Sequence, residues 1–155
     1  MQNRRKFIKN TTVVLSMLYP VLLQPFLAHA SETEAQKKAL EARDVTSALA
    51  LLGVQNPGPG KRILLDVPEI VDANLSFPIK VSSEIPGTEW IAILADKNFY
   101  PLIGQFDVST GKKASAVEVN AKLPKTSVIR AVVRASDKFY VVTKEVKVTL
   151  GPCKK

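Results

Sequence analysis

The sequence predicts an all-β domain, a two-layer sandwich of about seven short strands preceded by one N-terminal helix. Three observations point to it. From Ile63 to Leu150 apolar residues recur at alternate positions in short runs, the period of a strand with one buried face. Turn-forming clusters such as NPGPGK (Asn56–Lys61) and STGKK (Ser109–Lys113) separate the runs. Between Ser31 and Gly53 the apolar spacing is instead three, four and seven, the period of a helix. The 155 residues suffice for one modest core, and 46% hydrophobic with 23% charged residues is the balance of a folded chain.

The first segment, MQNRRKFIKNTTVVLSMLYPVLLQPFLAHA, has a cationic start, an apolar stretch from Val13 to Leu27, and Ala28-x-Ala30 at its end. This is the pattern of a secretory signal, with Pro20 and Pro25 too disruptive for a stable membrane span. Arg4 and Arg5, followed by Phe7 and Lys9, fit a twin-arginine signal, which serves export of folded proteins. The mature chain is expected to begin near Ser31 in an oxidising compartment such as the periplasm. Four basic residues leave with the first 30 positions, so 18 basic side chains face 14 acidic ones. A net charge of +4 attracts small anions but does not suggest nucleic acid, and no basic–aromatic interleaving is present.

After the leader, Ser31 and Glu34 have the spacing of a capping box, and Ala35, Ala42, Val45, Leu49 and Leu52 form one apolar stripe. Gly53 is placed to end the helix. The stripe fits either packing on the chain's own sheet or an arm lying on a partner. NPGPGK then reads as a linker.

The strands follow in order. ILLDV opens the sandwich. SFPIKVS puts Phe77, Ile79 and Val81 on one face, and Pro78 suggests an edge strand. WIAILA, from Trp90, is apolar throughout and reads as buried; LIGQFDV leads into STGKK. SAVEVNAKL alternates Val117, Val119, Ala121 and Leu123 against polar neighbours. SVIRAVVRAS sets Ile129, Ala131 and Val133 inward and Arg130 and Arg134 outward. KFYVVTKEVKVTL places Tyr140, Val142, Val146, Val148 and Leu150 on one side, with Lys144 an exception that suggests a bulge. The count and spacing suggest an immunoglobulin-like sandwich. Residues 1–30 are thus a signal peptide, 31–60 a helix and linker, 61–150 the sandwich and 151–155 a projecting tail.

The chemistry available is narrow. The single histidine, His29, lies in the leader, and the single cysteine, Cys153, lies in the tail. The mature chain therefore offers no histidine-based triad, no Cys–His pair and no histidine metal ligand. One cysteine forms no internal disulfide, and without a C-x-x-C motif it is no thiol redox enzyme. No catalytic residue, metal or cofactor is expected. Cys153 is either an incidental thiol or a reactive one; in an oxidising compartment a free thiol is exposed to oxidation and mixed disulfides. Lys154 and Lys155 favour the thiolate and suit an anionic adduct, or are simply solvated, as are Lys112, Lys113, Lys122 and Lys125 on the loop reading.

LLDVPEI, LSFPIKVSSEIPG, ILADKNFYPLIGQFDV, VIRAVVRASDKFY and the closing VKVTLGPCKK, in that order, resemble SoxY, the sulfur-carrier subunit of the bacterial thiosulfate-oxidising Sox system. The resemblance runs from about Leu64 to the terminus. It implies a covalent carrier rather than an enzyme, paired as a heterodimer with a SoxZ-like β-sandwich subunit. It implies that Cys153, on an arm of Gly151, Pro152, Lys154 and Lys155, holds the sulfur intermediate. SoxAX would attach thiosulfate to it and SoxB would hydrolyse the terminal sulfonate. The family arm is typically GGCGG; here only Gly151 matches, and a proline with two lysines makes a stiffer, bulkier, more cationic approach. A second reading is a SoxY paralogue that assembles with partners but carries nothing.

Overall fold

The computed structural model describes residues 34–109 and 115–150. These fall almost wholly in one compact unit, Ala35–Lys155. The leader with Arg4 and Arg5, the capping residue Ser31, the loop lysines Lys112 and Lys113, and the tail from Gly151 to Lys155 lie outside the described residues.

Helix α1 spans 34–41 and α2 spans Val45–Leu51. Nine strands follow: β1 Gly58–Pro59, β2 Ile63–Asp66, β3 Ile70–Asp72, β4 Phe77–Ser83, β5 Thr88–Ala95, β6 Leu102–Asp107, β7 Ser115–Ala121, β8 Ser127–Ala135 and β9 Lys138–Thr149. One sheet has the order β1-β9-β8-β5-β6, with β3 also on β9; the other is β2-β4-β7. The seven runs recognised in the sequence are the seven longer strands, and their arrangement is an immunoglobulin-like β-sandwich. The two additional strands, of two and three residues, pair parallel with β9. β1 lies inside the predicted NPGPGK linker, so this linker is partly sheet.

Two cores explain the apolar run of β5. Ile91, Ile93 and Ala95 join Ile63, Phe77, Ile79, Val81, Ile129, Ala131 and Val133 between the sheets. Trp90, Ala92 and Leu94 point the other way, into a cluster with Ala39, Ala42 and Ala48 of the helical region. A strand covered on both faces has no polar alternate position, which is why WIAILA shows no alternation. Val45, Leu49 and Leu52 pack on this second cluster, so the helical stripe covers the chain's own sheet.

Four further sequence expectations change. The single predicted helix is broken at 42–44, where Asp44 caps α2 by accepting a hydrogen bond from Ser47 N–H at 2.8 Å. Gly53, at φ +72°, ends α2 as expected; its N–H and that of Val54 bond back to Ala50 and Leu49 carbonyls, a Schellman closure. Pro78 lies in the middle strand of the smaller sheet, not an edge strand. However, β2 reaches only Lys80, so β4 has a neighbour on one side alone at Pro78 and the missing N–H costs no ladder bond there. Lys144 needs no bulge: β8 and β9 stay in register from Ser127–Val146 to Ala135–Lys138. The Lys144 ammonium instead donates to Val67 O at 2.9 Å, which satisfies an inward-placed charge at the sandwich border. Leu150, expected on the inward side, is 86% exposed, because β9 has by then left the core.

Candidate functional site

Among the described residues no group of three or more His, Cys, Asp or Glu side chains is placed to hold a metal. Two open grooves of about 680 and 460 Å³ lie beside the start of β9; they share Lys138 and Tyr140. The tail leaves from the other end of that twelve-residue strand. Neither groove is lined by residues at the end of β9 from which the described chain runs on to the tail.

What it builds there is a brace. The β8 ladder ends at the Ser127–Val146 pair, yet β9 continues three residues further. On one side β3 takes over, pairing Ile70–Lys147, Val71–Val148 and Asp72–Thr149. Lys147 N–H donates to Glu69 O at 2.8 Å, Ala73 N–H to Thr149 O at 3.0 Å, and the Thr149 hydroxyl to Val71 O at 3.2 Å. On the other side the Thr126 hydroxyl accepts from Val148 N–H at 3.0 Å, replacing the strand that has ended. The backbone is thus held to Thr149, and the next residue is the exposed Leu150.

The same end of the sheet carries the β5–β6 loop. Asp96 N–H donates to Val128 O and Lys97 N–H to Ser127 Oγ, both at 3.0 Å. Asp96 also receives two hydrogen bonds of 2.7 Å from Arg130 Nε and Nη2, a bidentate pair that holds the guanidinium above its ordinary pKa against the opposing effect of burial. Beyond it Phe99 and Tyr100 meet edge to face, ring centroids 5.0 Å apart at 82°. The Arg43 guanidinium lies over both, 3.9 Å from the Phe99 centroid and 4.8 Å from that of Tyr100. The sequence barely announces this cluster. Its one signal is the adjacent aromatic pair in DKNFYP, at a connection where polar residues are the rule.

The fold and this end of it define a class: a β-sandwich scaffold whose last strand is braced up to Thr149. The chain belongs to the SoxY family. The family model described as "Sulfur oxidation protein SoxY" matches residues 48–153, a span that includes Cys153. The sulfur carrier protein SoxY from Chlorobium limicola f thiosulfatophilum is similar in structure, with a TM-score of 0.57 and 27% identity over 79% of this chain and 99% of that one. Superoxide reductases (neelaredoxins) from Ignicoccus hospitalis share the fold only. One solved form has a TM-score of 0.50 at 24% identity, covering 56% of this chain and 80% of its own. A substituted form of the same enzyme has 0.51 at 21%, covering 70% and 91%. No curated protein matches the chain. No helix among the described residues is long and apolar enough to cross a membrane.

Proposed function

We propose that this protein is a periplasmic sulfur carrier that holds thiosulfate-derived intermediates on the sulfur of Cys153 while separate enzymes act on them. The observation that carries this reading is the braced last strand of a SoxY-family sandwich, held to Thr149 and followed within four residues by the chain's single cysteine. Loading joins the Cys153 thiolate to the outer sulfur of thiosulfate: a sulfur–sulfur bond forms, and two electrons pass to a haem oxidant of the SoxAX type. A SoxB-type hydrolase then adds water to the terminal sulfonate; sulfate leaves with two protons and a persulfide anion stays on Cys153. The S–S link suits this task, because it is covalent yet open to redox and exchange cleavage.

In this account the twin-arginine leader, with Arg4 and Arg5, exports the folded chain, and a SoxZ-like sandwich subunit travels with it as a heterodimer. Lys154 and Lys155 hold the anionic adduct by charge attraction. The second reading, a SoxY-family interaction subunit with an incidental thiol, is favoured by one feature: Pro152, Lys154 and Lys155 stand where narrow glycines give a family arm its freedom. Complementation of a deletion strain separates the two. The carrier reading expects Cys153→Ala to abolish thiosulfate-dependent growth while the subunit still assembles; full rescue by that variant supports the second reading.

A further inference from the structure

The smaller groove beside the start of β9, about 460 Å³, concentrates unpaired positive charge. Lys61 and Arg62 reach it from the β1–β2 connection and Lys138 from the head of β9. Among the described residues no carboxylate lines it, and none of the three cations is in an ion pair. Asp137, the neighbour of Lys138, is engaged elsewhere: its carboxylate accepts from Arg134 Nη2 at 2.9 Å. Glu84 precedes the lining residue Ile85 but does not line the groove itself. Ordinary surfaces intersperse the two signs, so three like charges around one groove mark a place for an anion. The rest of the lining is largely apolar, with Pro59, Ile85, Pro86 and Tyr140.

The walls of the groove are rigid, and part of that rigidity is strained. Ser136 and Asp137, in the hairpin between β8 and β9, have φ of +48° and +59°, both in the left-handed region. A hairpin of this kind is relaxed with Asn-Gly or Asp-Gly, not with Ser-Asp. Gly87, at φ +71°, packs against the same hairpin: its carbonyl accepts from Ser136 N–H at 3.3 Å, and a Cβ there would stand 2.8 Å from Ser136 Oγ. Pro59 and Pro86 fix the backbone of two further walls. Backbone strain persists only where the surroundings enforce it, and it gathers at ligand sites. A preformed groove also spares its ligand the cost of ordering the walls.

We propose that the Lys61–Arg62–Lys138 groove binds an acidic peptide segment of a partner protein, one whose carboxylates flank an apolar residue. Charge complementarity selects the carboxylates, and the apolar lining selects the residue between them. The cations come from two separate stretches of chain around an open groove. A small monoanion satisfies one of them, whereas carboxylates spaced along a peptide meet all three. Lys138 and Thr149 are the two ends of β9, roughly 35 Å apart for an extended strand. A partner held at this groove therefore leaves uncovered the end that runs on to Cys153. The inference goes beyond the carrier reading and does not rest on it.

The test is calorimetric titration of the full mature chain, at low ionic strength, with a synthetic peptide of glutamates around a central leucine. Saturable binding is expected, weakened as salt is added. Arg62→Glu and Lys138→Glu, on separate elements and both exposed, should each raise Kd by about fivefold or more. Lys122→Glu, the same change of charge in the β7–β8 connection, should bind as the unsubstituted chain does. Replacing the peptide's leucine by serine should weaken binding without any change to the protein. No saturable binding up to about 1 mM overturns the proposal. Equal weakening by Lys122→Glu overturns it too, because the attraction then belongs to the overall charge. Indifference to the leucine contradicts the apolar part of the site. Benzoate binding as tightly as the peptide, and losing affinity in Arg62→Glu, replaces the peptide with a small carboxylate.

Discussion

Asp96 shows how one side chain secures the arm end of the molecule. It accepts two hydrogen bonds of 2.7 Å from Arg130, and only 18% of its own side-chain surface is exposed. Removing the charge while keeping the shape leaves the guanidinium without its bidentate acceptor, so Asp96→Asn should lower unfolding stability by about 1–3 kcal/mol. Urea denaturation checks it; an unchanged midpoint contradicts this role for the pair. Single residues were also where the sequence misled. Lys144 breaks the apolar alternation of β9 without breaking its register, because a long side chain can carry its ammonium to the Val67 carbonyl. Nothing in the one-dimensional pattern reveals that acceptor, 77 residues away in the chain.

Among the elements, β8 was readable because burial on a pleated strand writes a period of two, and the inward set Ile129, Ala131 and Val133 lies in the core as expected, whereas β5 was readable as a short unbroken apolar run, the mark of burial on both faces. β1 and β3 were not, since two or three residues are too short to show any period. Their pairing with β9 is set by the tertiary path of the chain. The break between α1 and α2 had a local sign, Asp44 followed three positions later by Ser47, which the continuous apolar stripe obscured. Asp44→Ala should loosen α2 and with it the cover over Trp90 and Leu94, lowering Tm by a few degrees while leaving the sandwich assembled. Circular dichroism melting follows this; a Tm equal to that of the unsubstituted chain would rule the cap out as a stabilising contact. The brace on β9 was likewise hidden, since a threonine hydroxyl standing in for a strand leaves no pattern.

For the molecule as a whole, acid should weaken the fold in a defined direction. Asp44 is held below its ordinary pKa of 3.8, first by the Ser47 hydroxyl and then by its backbone N–H; Asp107 is held down in the same way by Ser109. A carboxylate with a depressed folded-state pKa contributes stability that is complete above the unfolded value and disappears as pH falls through the folded one. The contribution of both should therefore be flat across neutral pH and lost below about 3.8. A pH series of Tm values for Asp44→Asn and Asp107→Asn against the parent reads it out: the variants should converge on the parent in acid, and a gap that persists or widens there contradicts the assignment.

Cargo on the terminal sulfur is the claim on which the functional account depends, and intact mass with peptide mapping addresses it directly. Mature protein incubated with thiosulfate and its oxidising haem partner should gain one –S–SO₃⁻ group, located on Cys153 and absent from Cys153→Ser. An unmodified chain under conditions where the partner turns over, or the same mass gain in Cys153→Ser, contradicts the account.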